Sequence, residues 1–190
     1  MGGGAGIGFA AAGLAAVVLM VFGALSGKVG LAYGGGGLFL LAALALGGRL
    51  WRTAPQEDPE AVAAGFARLI AGTWLWAGSA MLASYYLTDL SWQHAWQYGA
   101  GCILIGSGIL AYARARAAPG SRLSELPWAR AVQWATAMQG LAAVIAVGAL
   151  LASEKVAAFG RDWAANVVFI SGGLAIFALS AMAVLAERRR

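Results

Sequence analysis

Few residues in this 190-residue chain are equipped for chemistry. Asp89 and His94, the only histidine, lie five positions apart beside Trp92, Trp96 and Tyr98. A histidine near a carboxylate titrates close to neutrality and can sense or relay protons. Trp and Tyr rings also settle at the headgroup level of a membrane. The segment therefore reads either as an outward-facing polar vestibule or as an aromatic belt. Gln133, Thr136 and Gln139 are spaced three and three, which puts them on one helix face that drifts slowly around the axis. With Asn166 they form a candidate lining for a small neutral solute, or else interhelical hydrogen bonds worth under about 1–2 kcal/mol each.

Catalytic constellations are missing. One histidine makes no His-rich metal site or haem pair, and one cysteine, Cys102, makes no thiolate cluster or internal disulfide. Gly78-Ser79-Ala80 and Gly106-Ser107-Gly108 have the small neighbours of a nucleophile. No intramembrane His or Lys stands ready to activate them, so they read as packing serines. The glycine run 34–37 is not followed by the Lys-Ser/Thr of a phosphate loop. The expectation is a non-enzyme with no catalytic residue, no metal site and no cofactor.

The elements that must position these residues are apolar helices. The chain is 61% hydrophobic and 11% charged, with 28 glycines and 4 prolines, whereas a soluble domain carries roughly a quarter charged residues. About 20 apolar residues cross the hydrocarbon of a bilayer. Six such windows occur, near residues 7–26, 31–48, 66–88, 96–113, 131–152 and 164–186. The fold class expected is an all-α integral membrane protein of one transmembrane domain, residues 1–190, with six helices in three antiparallel hairpins. The first window reads as a retained helix rather than a signal peptide, because Met1–Ala5 holds no Lys or Arg.

Charge fixes the orientation. Arg49, Arg52 and Arg68 flank the 49–65 loop; Arg114, Arg116, Arg122 and Arg130 lie in or beside the 114–130 loop; the tail is Arg188, Arg189 and Arg190. Lys28, Lys155 and Arg161 fall on the other side. Short basic loops stay cytoplasmic, which places both termini inside. No ionisable residue reaches mid-depth, unlike pumps and voltage sensors. The basic balance argues for anionic lipid headgroups and against nucleic acid.

All four prolines sit in the two long loops, and Asp58-Pro59-Glu60 reads as N-cap, N1 proline and acidic first turn, starting the third helix about seven residues before the membrane. A shift of 65 residues aligns Tyr33 with Tyr98, Gly34 with Gly99, Gly36 with Gly101 and Arg49 with Arg114, which raises the hypothesis of a repeated hairpin. Small-residue pairs at Gly23/Gly27, Gly30/Gly34, Cys102/Gly106 and Ser171/Ala175 are expected to let helices approach closely.

The layout, together with Tyr98-Gly99-Ala100-Gly101-Cys102-Ile103-Leu104-Ile105-Gly106-Ser107-Gly108-Ile109-Leu110 followed by Arg114, resembles the HdeD-type acid-stress membrane proteins of bacteria. The likeness covers the whole chain in topology and some twenty residues in detail. It implies an inner-membrane stress protein without catalytic residues. The outer turns here lack the proline that family often carries. Leu90-Ser91-Trp92-Gln93-His94-Ala95-Trp96 is loosely similar to an outer loop of the acid-gated urea channel and amide transporter family, which places its termini outside. Two functions are thus expected: a non-enzymatic bundle, stress-associated or an accessory subunit bound to a membrane partner or to its own copies, or a pH-sensitive facilitator for a small neutral solute.

Overall fold

The computed structural model describes residues 3–87, 95–116, 120 and 163–189. These form five helices and no strand: α1 (Gly3–Leu25), α2 (Val29–Thr53), α3 (Pro59–Leu87), α4 (Ala95–Arg116) and α5 (Trp163–Arg188). Two stretches among the described residues are long and apolar enough to cross a membrane, Gly30–Thr53 and Pro59–Ala83. The apolar parts of α1 and α5, Ile7–Gly23 and Ile170–Ala186, are shorter.

Helix ends follow local chemistry. The amide of Glu60 donates to Asp58 Oδ1 at 3.4 Å and that of Val62 to the Asp58 carbonyl at 3.1 Å, so α3 starts at a capped proline. α1 stops where Gly27 takes φ 66°, the left-handed conformation that glycine adopts without a Cβ clash. There the Ser26 amide and hydroxyl both donate to the Phe22 carbonyl, at 2.9 and 2.7 Å. α2 runs past its apolar window, so Arg49 and Arg52 belong to a helix rather than to a loop.

α1, α2, α5 and α3 form a ring in that order, each packed on its two neighbours, and α4 lies outside against α3. Phe9, Met20, Phe39, Phe66, Met81 and Ile176 fill the interior. Glycines set the approaches. A Cβ on Gly35 would meet the Ala16 carbonyl across α1 and α2, one on Gly47 would meet Leu179 and Met182 of α5, and one on Gly72 would meet the Phe9 ring. α3 and α4 meet backbone to backbone at two levels: a Cβ on Gly78 would lie 2.6 Å from the Gly99 carbonyl oxygen, and one on Gly106 would lie 2.9 Å from that of Ala71.

Of the expected small-residue pairs, Cys102/Gly106 and Ser171/Ala175 do sit at or near helix contacts. Gly30 and Gly34 face open space, and the contact passes to Gly35. In the 65-residue alignment Arg49 and Arg114 both stand exposed near a helix C-terminus, while the glycines differ in role. Gly34 is open where Gly99 packs on Leu82, and Gly13 meets Trp76 of α3 where Gly78 meets α4.

Candidate functional site

Asp89, Trp92 and His94 lie outside the described residues, as do Gln133, Thr136 and Gln139. Trp96 and Tyr98 fall in the first turns of α4 and Asn166 in the first turn of α5, with their side chains outside the description. The vestibule and the solute lining therefore lie outside the described side chains. Thr73 is buried, and its hydroxyl donates to the Leu69 carbonyl at 2.8 Å, back along its own helix. Ser79 and Ser107 are exposed, so the two serines read as packing residues face outward instead. Among the described residues no group of three His, Cys, Asp or Glu side chains is placed to hold a metal ion.

The structure does assemble charge at one end of the bundle. α2 and α5 end together, since Gly47 packs on Leu179 and Met182, and the Arg189 guanidinium lies 4.6 Å over the Trp51 ring. The short 54–58 connection leads directly into α3. α4 returns to the same end, where Arg116 Nη2 donates to Glu60 Oε1 at 2.6 Å and Nε to Oε2 at 3.2 Å. Arg49, Arg52, Arg114, Arg116, Arg188 and Arg189 thus share one end. Lys28, exposed in the α1–α2 turn, stands at the other.

The Glu60–Arg116 pair was implicit in the sequence. An acidic first turn on one helix and a basic last turn on its antiparallel neighbour come to the same end when the hairpin closes, and the phase of α4 selects Arg116 rather than Arg114. Arg116 is buried, at 5% exposure, while the Glu60 side chain keeps 56%. The hydrogen bond to Glu60 raises the Arg116 pKa, burial opposes this, and Tyr112 adds to the rise. The guanidinium is therefore a permanent cation held by a carboxylate that water still reaches.

Among the described residues three polar atoms are buried without hydrogen-bond partners: the indole nitrogens of Trp51 and Trp74 and the Ser180 hydroxyl. Each costs about 1–3 kcal/mol in lost solvation. No family model matches this chain, and neither a curated protein nor a solved structure matches it.

Proposed function

We propose that this chain is a non-enzymatic polytopic membrane protein with six spans and both termini in the cytoplasm of a bacterium, acting as a stress-associated protein or as an accessory subunit of a larger membrane complex. The observation that carries the membrane part of this reading is the outer surface. Ile7, Leu41, Leu104, Leu174 and Phe177 are exposed on four different helices, an apolar outer surface of the kind lipid would cover. The gathering of arginines at one end supports the orientation. The likeness to the HdeD-type proteins supports the stress-associated form. Nothing described favours the channel reading, because none of its residues has a described side chain.

Orientation is tested by cysteine labelling. In a Cys102→Ala background, a membrane-impermeant maleimide applied to intact cells should label Lys28→Cys and leave Arg188→Cys unlabelled until the membrane is broken. The reverse pattern would overturn the topology. Function is tested by gentle extraction from the source membrane, sizing and mass spectrometry of what co-purifies. A stoichiometric foreign partner supports the subunit form, and a solitary chain or homo-oligomer supports the stress-protein form. Solute flux in proteoliposomes made with the chain alone would overturn both.

A further inference from the structure

The outer face of α3 lies in a groove. On one side of it Gly72 and Trp76 pack against Phe9 and Gly13 of α1, and on the other Ala71, Leu75, Gly78 and Leu82 pack against Gly99, Cys102 and Gly106 of α4. α1 and α4 flank α3 and do not form a packed pair with each other. Between them, Arg68, Ser79 and Tyr86 follow at intervals of eleven and seven residues, which at 100° per residue is a single line along the helix. All three are exposed.

α4 contributes a second line to the same groove. Ser107 and Arg114 are seven residues apart and exposed, about 100° round from Gly106, which faces α3. Because α4 runs antiparallel to α3, that rotation turns them toward the α1 side. The Glu60–Arg116 pair lies on the opposite side of α4. Gly106 packs at the level of Ala71 and Leu75, so Arg68 stands level with Ala111, and Arg114 is about 5 Å nearer the basic end. Two guanidiniums, one from each helix, therefore flank the same mouth. Neither has a hydrogen-bond or ion-pair partner among the described residues.

We infer that this groove binds an anionic phospholipid, with its phosphate between Arg68 and Arg114 and an acyl chain lying along α3 between α1 and α4. The inference rests on the membrane reading above. Arg68 enters the apolar stretch Pro59–Ala83 a little more than two turns after Pro59, at the depth where a long side chain reaches back to the headgroup layer. Charge complementarity selects the ligand: two cations without protein partners suit a headgroup of net negative charge rather than a zwitterionic one. Below them, Leu75 and Ser79 give a floor that is apolar or small, suited to a hydrocarbon chain.

The test is native mass spectrometry of the full chain in detergent, titrated with phosphatidylglycerol or phosphatidylcholine. The wild type should retain one phosphatidylglycerol in preference to phosphatidylcholine. R68Q/R114Q should bind phosphatidylglycerol about ten to thirty times more weakly, from the usual contribution of one basic residue at an anionic surface. R49Q/R52Q, at the end of α2, removes the same charge elsewhere and should bind as the wild type does. Soluble glycerophosphate should not compete, because the chain in the groove supplies part of the affinity. Equal retention of the two lipids, unchanged binding by R68Q/R114Q, or an equal loss in R49Q/R52Q would overturn the site. Unchanged helix content by circular dichroism in R68Q/R114Q separates loss of the site from loss of the fold. A chain that remains monomeric in buffer without detergent would instead overturn the membrane reading itself.

Discussion

Gly78→Leu is expected to force α3 and α4 apart and to lower stability by about 3 kcal/mol, the upper end of the usual range for overpacked sites. The reason is that the obstacle is backbone. A Cβ at Gly78 would sit 2.6 Å from the Gly99 carbonyl oxygen and 2.9 Å from the Cys102 Cβ, neither of which can swing aside as a long side chain would. On the membrane reading proposed above, such close approach is much of what holds two apolar helices together, since in lipid there is no water to drive them from. Gly108→Leu is the matched control, because nothing lies within 4 Å of that glycine's missing Cβ. It should be neutral or stabilising by up to about 1 kcal/mol through helix propensity. Thermal unfolding of both variants in one detergent, followed by circular dichroism, checks the contrast. Equal stability of the two would show that the α3–α4 contact does not hold the hairpin.

Glu60→Ala is expected to cost about 2–3 kcal/mol. It leaves the Arg116 guanidinium buried without its carboxylate, an arrangement that costs about 3–5 kcal/mol where both partners are fully enclosed. Water reaches half of the Glu60 side chain, which reduces the loss. Arg116→Met should recover part of it, so the double variant E60A/R116M should be more stable than E60A alone, as a double-mutant cycle would measure. The clasp should not loosen in base. Glu60 raises the pKa of a cation, so the stability it confers is complete below the unfolded value and is lost only as pH rises through the folded one, beyond the alkaline limit for Arg116. A strong decline in stability between neutral pH and pH 10 in the wild type, absent in E60A, would contradict this assignment.

The all-α class and the start of α3 were legible for physical reasons. Long apolar runs have few alternatives to helix, and a proline after aspartate fixes a first turn almost unaided. The Glu60–Arg116 clasp was latent in the same signals, once α3 and α4 were read as antiparallel. What the residues could not announce was which glycines make contact. Gly30 and Gly34 look better suited to close packing than Gly35 or Gly47, yet they face outward. In a soluble protein the outer face would be polar and the choice plain. Here the exposed face of α2 is built from Tyr33, Leu38 and Leu41 and its inner face from Ala32, Phe39 and Ala43, so hydropathy barely tells one from the other. Ser79 and Ser107 misled for the same reason, since a small hydroxyl is as acceptable between helices as on an outer groove. For the vestibule and lining residues, Asp89, His94, Gln133, Thr136 and Gln139, the described structure adds no neighbour to the sequence.

The order of the ring has a consequence for how the chain is made. α5 lies between α2 and α3, touching both, yet it follows both in the chain and is made after them. Until then Gly47 lacks the Leu179 and Met182 that later fit against it, and Ala77 lacks Gly172. α1, α2 and α3 are thus synthesised as an open arc, and α5 later closes it as a keystone does. A nascent chain halted before Trp163 would hold two small-residue faces bare, free to take another helix in place of its own.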